Sequence, residues 1–262
     1  MYRFFVDPAN ICGDDIYIEG EDVNHIKNVL RMRIGEEVSV VAYNDSTDGA
    51  SSAGPEDTDG KEYRCEVADF EDERVHLKLR FIKEDNVELP NKIYLLQGLP
   101  KGDKMELIIQ KAVELGVYEI IPVSMKRCVV RYDGKKGPAK VSRFNAICES
   151  AAKQSKRGII PKVTDIMSFD DAVKYCRDME VKLMPYELAD MNGMDKTREL
   201  IGNIEPGQSV AVFIGPEGGF AKEETDAAEE GGFEEITLGH RILRTETAGM
   251  TVLSWLVYML EG

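Results

Sequence analysis

The sequence predicts a mixed α/β protein whose two parts have different architectures. Residues 1–85 contain several short alternating strands and one helix, which is typical of a small β-barrel-like domain. From Lys92 onward, strands and helices alternate, which indicates three layers built on a mostly parallel sheet. A polar segment that ends at Pro90 separates the two patterns. We therefore expect one domain over residues 1–85 and a second over residues 90–262.

Alternation of apolar and polar residues locates the strands of the first part. Strands are predicted at Tyr2–Val6, Ile16–Ile18, Glu37–Tyr43, Glu62–Phe70 and Arg74–Ile82. The apolar residues between Glu21 and Leu30 have helical spacing and predict one helix. Residues 44–60 are rich in Ser, Gly and Asp and almost lack apolar side chains, so we interpret them as a mobile insertion without a function.

In the second part, buried strands alternate with amphipathic helices. Strands are predicted at Lys92–Gln97, Glu119–Val123, Val181–Met184, Ser209–Ile214 and Glu235–Leu238. Helices are predicted at Lys101–Leu115, Pro138–Ser155, Phe169–Cys176, Thr197–Ile201, Lys222–Glu230 and Thr245–Leu260. In the first of these helices we expect a capping box formed by Asp103 and Glu106, with Gly116 just past the end. The last helix is apolar on nearly every side, which indicates burial within its own chain or against a second subunit.

Composition argues against several classes of protein. No stretch reaches the roughly 18–20 apolar residues of a membrane span, and the N-terminus lacks the pattern of a signal peptide. We therefore expect a cytoplasmic protein without a membrane partner. The five cysteines and three histidines are widely scattered without C-x-x-C spacing, so neither a disulfide framework nor a metal site is expected.

The net charge of −15 conceals a basic middle region. Residues 89–160 contain 14 Lys and Arg against 6 Asp and Glu, whereas the segments on both sides are strongly acidic. The cations concerned are Lys126, Arg127, Arg131, Lys135, Lys136, Lys140, Arg143, Lys153, Lys156 and Arg157, with Tyr132 and Phe144 among them. Such a cluster is either a phosphate-binding surface or an ordinary solvated face, and charge alone leaves both interpretations open.

Two loops near the end of the chain follow predicted strands. They are the glycine loop, Gly215–Phe220, and the arginine loop, Leu238–Ala248. Neither contains the Gly-Lys-Ser/Thr of a phosphate loop or the G-x-G-x-x-G of a dinucleotide site. Because open α/β sheets bind ligands past the carboxyl ends of their strands, the two loops predict a pocket for a small-molecule cofactor. The alternatives are a plain tight turn and ion pairs of Arg241 and Arg244 with glutamates of the same loops.

The two loops, G-P-E-G-G-F and L-G-H-R-I-L-R-T-E-T-A, resemble the SPOUT superfamily of RNA methyltransferases. Further matching stretches are Arg3–Phe5, His25–Arg31, Lys101–Val117, Arg127–Val130 and Gln154–Arg157. The closer match is to the ribosomal RNA small-subunit methyltransferase E family, which methylates N3 of a uridine in 16S ribosomal RNA. The resemblance covers nearly the whole chain, although the insertion at residues 44–60 is longer than the family usually carries.

The resemblance implies a PUA-like β-barrel that binds RNA, followed by a SPOUT domain with a C-terminal trefoil knot. It also implies a homodimer that uses S-adenosylmethionine and acts on 16S ribosomal RNA or the small ribosomal subunit. The residues implied to bind the cofactor are Leu183, Met184, Pro185, Ile214, Gly215, Pro216, Glu217, Gly218, Gly219, Leu238, Gly239, Ile242, Leu243, Thr247 and Ala248. Those implied to bind RNA are Arg3, His25, Arg31, Lys101, Lys104, Arg127 and Arg157.

Methylation at uridine N3 requires removal of its proton and stabilisation of negative charge on the flanking carbonyl groups. The catalytic candidates are Arg244, which would orient the base or its phosphate, and Glu217 or Glu246 as proton acceptor. His240 is a weaker candidate, and catalysis by positioning without a dedicated base stays open. Two other functions also stay open: methylation of another RNA site, such as a ribose hydroxyl, and a non-catalytic role as an RNA-binding assembly factor.

Overall fold

The structure is a computed structural model that describes residues 1–43, 61–84, 87–132, 136–186 and 193–261. The insertion predicted at residues 44–60 lies outside these described residues. The chain divides into two compact units, each with its own β-sheet. The first unit comprises Met1–Glu88 together with Ala152–Ile160, and the second comprises Leu89–Ala151 together with Pro161–Gly262.

The first unit is built around a six-stranded sheet. Its strands are β1 (Tyr2–Val6), β2 (Ile11–Cys12), β3 (Asp15–Glu19), β4 (Glu37–Ala42), β5 (Glu62–Phe70) and β6 (Arg74–Lys83). The strand order is β1-β4-β5-β6-β3-β2; β1 pairs with β4 in parallel, and the other pairings among the described residues are antiparallel. Alternation buries one face of the sheet in a core that includes Phe4, Ile16, Val38 and Leu77. The five predicted strands are confirmed, whereas β2 is too short to show alternation.

The helix predicted over Glu21–Leu30 is confirmed in position but differs in geometry. It begins as α1 (Glu21–Asn24) and continues as a π-helical segment, His25–Leu30. Arg31 ends the segment in a left-handed conformation, with φ of 54°. Ile26 anchors it in the core of the first unit. Because π-helical turns are rare and occur frequently at functional sites, this geometry marks the segment as a candidate surface for recognition.

The second unit is built around a parallel sheet of seven strands. The strands are β7 (Lys92–Gly98), β8 (Glu119–Ser124), β9 (Lys162–Val163), β10 (Met167–Ser168), β11 (Val181–Pro185), β12 (Ser209–Ile214) and β13 (Glu234–Ile236). The helices are α2 (Lys104–Glu114), α3 (Lys136–Ser155), α4 (Phe169–Tyr175), α5 (Gly193–Gly202), α6 (Lys222–Glu230) and α7 (Thr245–Leu260). The predicted α/β architecture is confirmed, and only the two-residue strands β9 and β10 escaped prediction.

The strand order of this sheet is β10-β8-β7-β12-β11-β13, with β9 also paired to β8. All pairings among the described residues are parallel, so the carboxyl ends of the strands share one edge. From β7 the chain first runs towards β8 and β10, and it later returns to build β11, β12 and β13 on the other side. The order therefore reverses between β7 and β12, which is where open α/β sheets bind ligands.

Helix α2 shows which local patterns predict structure well. Met105 and Ile108 lie on its buried face, as their spacing predicts. Gly116 follows the helix with φ of 81°, as expected for a glycine just past a helix end. The predicted capping box is wrong, because the side chain of Asp103 makes no capping hydrogen bond. Instead the backbone carbonyl of Asp103 accepts a hydrogen bond from the amide of Glu106 at 3.1 Å.

Helix α7 is not buried on every side within this chain. Val252, Leu253 and Leu256 are almost fully buried, whereas the side chains of Tyr258 and Met259 are exposed, Tyr258 to 84%. Of the two alternatives for this helix, burial on all sides within its own chain is not what the structure shows. An apolar face of the helix is uncovered in the single chain.

Two kinds of feature are absent from the part of the chain that the structure describes. No helix there has the length and apolar character needed to cross a membrane. No group of His, Cys, Asp and Glu side chains in the same ranges is arranged to hold a metal ion.

Candidate functional site

A cavity of about 490 Å³ opens in the second unit, where β11, β12 and β13 end. Its lining residues are Lys104, Pro185, Tyr186, Ile214–Glu217, Gly219, Phe220, Thr237–Thr245 and Ala248. The glycine loop and the arginine loop supply most of this surface. The cavity therefore lies at the carboxyl ends of the parallel strands, beside β12, where the strand order reverses.

Most residues implied to bind a cofactor line this cavity, but four do not. Leu183 and Met184 are fully buried inside β11, so their side chains belong to the core. Thr247 lies on the exposed face of α7. Gly218 lies in the part of the glycine loop that contacts Arg127, where an added Cβ atom would lie 2.9 Å from Cβ of Arg127. None of these four residues therefore forms part of the cavity wall.

Several lining residues were not among those implied to bind the cofactor, namely Tyr186, Phe220, Thr237 and Thr245, although Phe220 and Thr245 belong to the two loops predicted to form the pocket. The ring of Phe220 makes edge-on contacts with Phe213, at 5.4 Å between centroids, and with Tyr186, at 6.4 Å. Phe220 belongs to the G-P-E-G-G-F motif, so its aromatic character was an available signal. Tyr186 and Thr237 follow short strands and carry no recognisable pattern.

The glycine loop lies against the end of β7 at Gly98. A Cβ atom at Gly98 would lie 2.7 Å from Cδ and N of Pro216 and 2.8 Å from Sδ of Met125. Because real Cβ atoms do not approach other atoms this closely, only glycine allows Pro216 to contact β7 in this way. Gly98 thereby holds one wall of the cavity against the sheet.

A buried hydrogen-bond chain joins three segments beneath the cavity. Nε2 of Gln97, at the end of β7, donates to Oγ1 of Thr245 at 2.9 Å. Oγ1 of Thr245 in turn donates to the carbonyl of Gly215 at 2.7 Å. Gln97 is fully buried, so these bonds fix the start of α7 against the glycine loop. Sequence patterns could not reveal this contact, since Gln97 and Thr245 are 148 residues apart.

The loop after β8 supports the other side of the glycine loop. The buried carboxylate of Glu224 accepts hydrogen bonds from the amides of Lys126 and Ala221, both at 2.8 Å. Nη1 of Arg127 donates to the carbonyl of Gly218 at 2.9 Å. The exposed side chain of Arg127 is therefore attached directly to the loop that walls the cavity, whereas Lys126 is bonded through its amide to α6.

Lys104 connects the two glutamates predicted to be catalytic. Its Nζ lies 3.0 Å from Oε1 of Glu217 and 3.1 Å from Oε2 of Glu246. The amide of Lys101 also donates to Oε1 of Glu217 at 3.1 Å. We call Lys104, Glu217 and Glu246 the acidic clamp. It links the start of α2, the glycine loop and the first turn of α7.

Contacts within the acidic clamp shift the pKa values of all three of its side chains. Burial by itself would raise the pKa of Glu217, but hydrogen bonds from its own amide and from Lys104 outweigh this and lower the pKa. The pKa of Glu246 is lowered in the same way, against burial, by its own amide, by Lys104 and by the charge of Arg244. Interaction with Glu217 and then with Glu246 raises the pKa of Lys104. All three side chains are therefore ionised at neutral pH.

The structure does not support the alternative in which Arg241 and Arg244 form ion pairs with glutamates. Among the described residues, neither Arg241 nor Arg244 forms a salt bridge, and the clamp cation is Lys104. Both arginines line the cavity with exposed side chains.

Two residues implied to bind RNA are buried in the first unit. Nη2 of Arg3 lies 2.8 Å from Oε2 of Glu62, and Nη1 donates to the carbonyls of Lys156 and Arg157, the latter at 2.9 Å. Nε of Arg157 donates to both carboxylate oxygens of Glu88 at 2.9 Å. The expectation of direct RNA contact is corrected for Arg3 and Arg157, since protein atoms already surround both guanidinium groups.

The other residues implied to bind RNA are accessible. His25 and Arg31 are exposed in the first unit, at the two ends of the π-helical segment. Lys101 and Arg127 are exposed in the second unit, and Lys104 is partly exposed beside the cavity.

The basic middle of the chain is not one uniform surface. Lys153 pairs with Asp22 at 2.8 Å in the first unit, and Arg143 pairs with Glu106 at 2.8 Å in the second. Phe144, expected among the surface cations, is buried in the core. The phosphate-binding interpretation therefore does not hold for the whole basic region, although Lys126 and Arg127 in the loop after β8 are exposed.

Comparison with known proteins shows the class to which this fold and cavity belong. Residues 87–257 match a family model described as an RNA methyltransferase domain, and residues 18–46 match one described as an RNA methyltransferase PUA domain. The pairing of an N-terminal PUA domain with an α/β methyltransferase domain defines an RNA methyltransferase.

Individual relatives identify the family within this class. A ribosomal RNA small subunit methyltransferase E from Bacillus subtilis is 35% identical over 100% of this chain and 98% of its own length. The crystal structure of a ribosomal RNA small subunit methyltransferase E from Neisseria gonorrhoeae, bound to S-adenosylmethionine, is similar with a TM-score of 0.80 and 30% identity, covering 99% of this chain and 98% of that one. A putative methyltransferase from Legionella pneumophila, in complex with the same cofactor, has a TM-score of 0.81 and 30% identity over 98% and 97% of the two chains. This chain belongs to the ribosomal RNA small subunit methyltransferase E family, whose fold is that of the SPOUT methyltransferases.

Proposed function

We propose that this protein methylates N3 of a uridine in 16S ribosomal RNA, with S-adenosylmethionine as the methyl donor. The observation that carries the proposal is the cavity between the glycine loop and the arginine loop, in a chain with two similar structures that contain S-adenosylmethionine. The small-subunit RNA substrate follows from the names of the relatives. The choice of N3 rests on the family resemblance of the loop motifs.

The residues around the cavity fit a methyl donor of this kind. The volume of about 490 Å³ falls within the range of roughly 300–1,000 Å³ typical of small-molecule sites. Ile214, Leu238 and Leu243 offer apolar surface to a flat heterocycle, and the carboxylate of Glu217 offers negative charge to a cationic group. When bound, S-adenosylmethionine supplies an electrophilic methyl group on a sulfonium centre.

The acidic clamp is better suited to holding charge than to accepting a proton. Because the pKa values of Glu217 and Glu246 are lowered, both carboxylates are weak bases. We therefore propose that the proton of N3 is transferred to solvent rather than to Glu217 or Glu246. Arg244, exposed at the start of α7, stabilises the negative charge that the uracil oxygens gain as that proton leaves. His240 lines the cavity but has no assigned role.

The RNA is held by exposed cations of each unit. We assign phosphate contacts to Lys101 and Arg127 in the second unit and to His25 and Arg31 in the first. Because N3 lies on the pairing edge of uracil, the target base must be unpaired or turned out of its helix. Arg127, bonded to Gly218, would then bring the RNA backbone next to the cavity wall.

Two further family features are proposed for this chain, a homodimer and a trefoil knot in the C-terminal segment. The uncovered apolar face of α7, with Tyr258 and Met259, supports the homodimer because a second copy would remove it from water. Replacing Tyr258 with Asp should then produce monomers in sedimentation experiments. A wild-type protein that sediments as a monomer at micromolar concentration contradicts the homodimer.

The test of the proposed function is nucleoside mapping of 16S ribosomal RNA from a strain that lacks this protein. Loss of one 3-methyluridine, restored by the wild-type protein but not by Arg244→Ala, supports the proposal. Loss of a ribose-methylated nucleoside instead would assign the protein to a different RNA site. Unchanged RNA, together with RNA binding by the purified protein, would indicate a non-catalytic assembly role.

A further inference from the structure

We propose that Lys104 is a positioning residue of the methyl-donor site, which acts by holding Glu217 and Glu246 in place rather than by contacting RNA. The proposal rests on the proposed function, since it concerns the same cavity. It changes the role of Lys104, for which the family resemblance implied RNA binding.

Lys104 lies between two segments that wall the cavity. Glu217 belongs to the glycine loop and Glu246 to the first turn of α7, and each of these segments walls the cavity. The ammonium of Lys104 lies within 3.1 Å of a carboxylate oxygen from each. Without this cation, two carboxylates would face each other across the cavity edge and repel. Lys104 is thus the charge that allows the two walls to approach.

The acidic clamp leaves Lys104 little capacity to bind a phosphate group. Its side chain is only 30% exposed, and two carboxylates already share its charge. A phosphate that approached Lys104 would meet a cluster with one positive and two negative charges. The exposed neighbour Lys101 has no such restriction, although its amide contributes to the same clamp through Glu217.

The acidic clamp favours a cationic ligand over an anionic one. With both carboxylates ionised and one ammonium between them, the acidic clamp carries a net charge of −1. A cationic donor is attracted by that charge, whereas an anionic ligand is repelled. The clamp therefore suits a sulfonium-bearing donor, provided that its carboxylates stay where Lys104 holds them.

The experiment measures S-adenosylmethionine affinity by calorimetry in Lys104→Met, Lys104→Arg and the wild type. We expect Lys104→Met to weaken donor binding by about tenfold, which corresponds to about 1.4 kcal/mol, and Lys104→Arg to restore most of it. Lys111→Met is the matched control, because Lys111 lies on the same helix and pairs with Glu114 at 2.8 Å, away from the cavity. Its donor affinity should equal that of the wild type.

A double-mutant cycle separates positioning from direct contact. If Lys104 acts through the carboxylates, Lys104→Met should have little further effect on donor affinity in a Glu217→Gln, Glu246→Gln background. The pH at which donor affinity falls should also move upward in Lys104→Met, because Lys104 lowers the pKa of both carboxyl groups. Merely structural damage would not move that pH.

Three outcomes overturn the inference while leaving the proposed function intact. The first is a wild-type donor affinity in Lys104→Met. The second is additivity of the lysine and glutamate substitutions in the double-mutant cycle. The third is an effect of Lys104→Met that is confined to an increase in the KM for RNA. Failure of the wild-type protein itself to bind S-adenosylmethionine would instead overturn the proposed function.

Discussion

Two clusters of charged side chains in this protein have similar chemistry and opposite surroundings. In the first unit, Arg3 and Arg64 flank Glu62, and the side chains of Arg3 and Glu62 are only 5% and 7% exposed. In the second unit, Lys104 lies between Glu217 and Glu246 and is 30% exposed beside a cavity. The first cluster, which we call the closed cluster, is enclosed by protein atoms and stabilises the fold. The second cluster and the cavity beside it, which we call the open site, can be reached by a ligand.

The difference shows why a charged residue in a family motif is not by itself a binding residue. Arg3 was expected to bind RNA, yet its guanidinium group pairs with Glu62 and the carbonyls that follow α3. Lys104 was given the same role, yet it connects two carboxylates. What separates the two clusters is the space around them, which only the folded chain creates.

The largest expected effect of a substitution is on the rate of methyl transfer, at the open site. Replacing Arg244 with Ala should slow methyl transfer to 16S ribosomal RNA by about 100- to 1,000-fold, because it removes a cation that stabilises developing negative charge. Stability should hardly change, since the side chain is exposed. Single-turnover transfer of labelled methyl groups measures the rate, and Arg177→Ala, at an exposed position outside the cavity, is the control. A wild-type rate in Arg244→Ala would remove this residue from the site.

A substitution in the closed cluster should lower the unfolding free energy of the protein rather than its methylation rate. Replacing Arg3 with Met leaves Glu62 buried with Arg64 as its remaining cation, which should cost about 3 kcal/mol of unfolding free energy. Denaturant titration measures this value. The exposed Arg33 provides the control, and Arg33→Met should change stability by less than about 0.5 kcal/mol. Intact stability combined with weakened RNA binding in Arg3→Met would return Arg3 to the RNA surface.

Acidification provides a smaller test of the closed cluster. Burial would raise the pKa of Glu62, but the hydrogen bond from Ser39 and the charges of Arg3 and Arg64 lower it below the ordinary value of 4.5. A carboxyl group whose folded pKa is depressed stabilises the fold above its unfolded pKa, and the contribution disappears as pH falls through the folded value. The stability difference between wild type and Arg3→Met should therefore shrink below about pH 4.5. A constant difference down to about pH 3 would contradict a charged Glu62.

The smallest effect is expected from the insertion. Deletion of residues 46–58 should change methylation by less than about twofold, because shortening a polar loop alters its closure entropy only slightly. The same single-turnover assay applies. A large loss of activity would give the insertion a function that its composition does not indicate.

Most of the fold could be predicted from the sequence because its strands and helices are long enough to show their periods. The strands β2, β9 and β10 have two residues each, and no alternation can be read over that length. Inclusion of Ala152–Ile160 in the first unit was likewise not predictable, since these residues end a continuous helical pattern that begins in the second unit.

The candidate site was predictable in its loops and not in its contacts. The glycine loop and the arginine loop carry motifs that identify them directly, and nearly all their residues line the cavity. The roles of Gln97 and Lys104 were not predictable, because their partners lie more than a hundred residues further along the chain. Proximity across that separation depends on the strand order of the sheet.

By itself, the sequence determined the parallel α/β pattern, the position of two ligand loops and the membership of an RNA methyltransferase family. These properties follow from local periodicity and short motifs, which do not require knowledge of distant contacts. The tertiary structure decided which charges are enclosed and which remain available. Burial of Arg3 and clamping by Lys104 are long-range outcomes, because the environment of a charge is set by all the segments that fold around it.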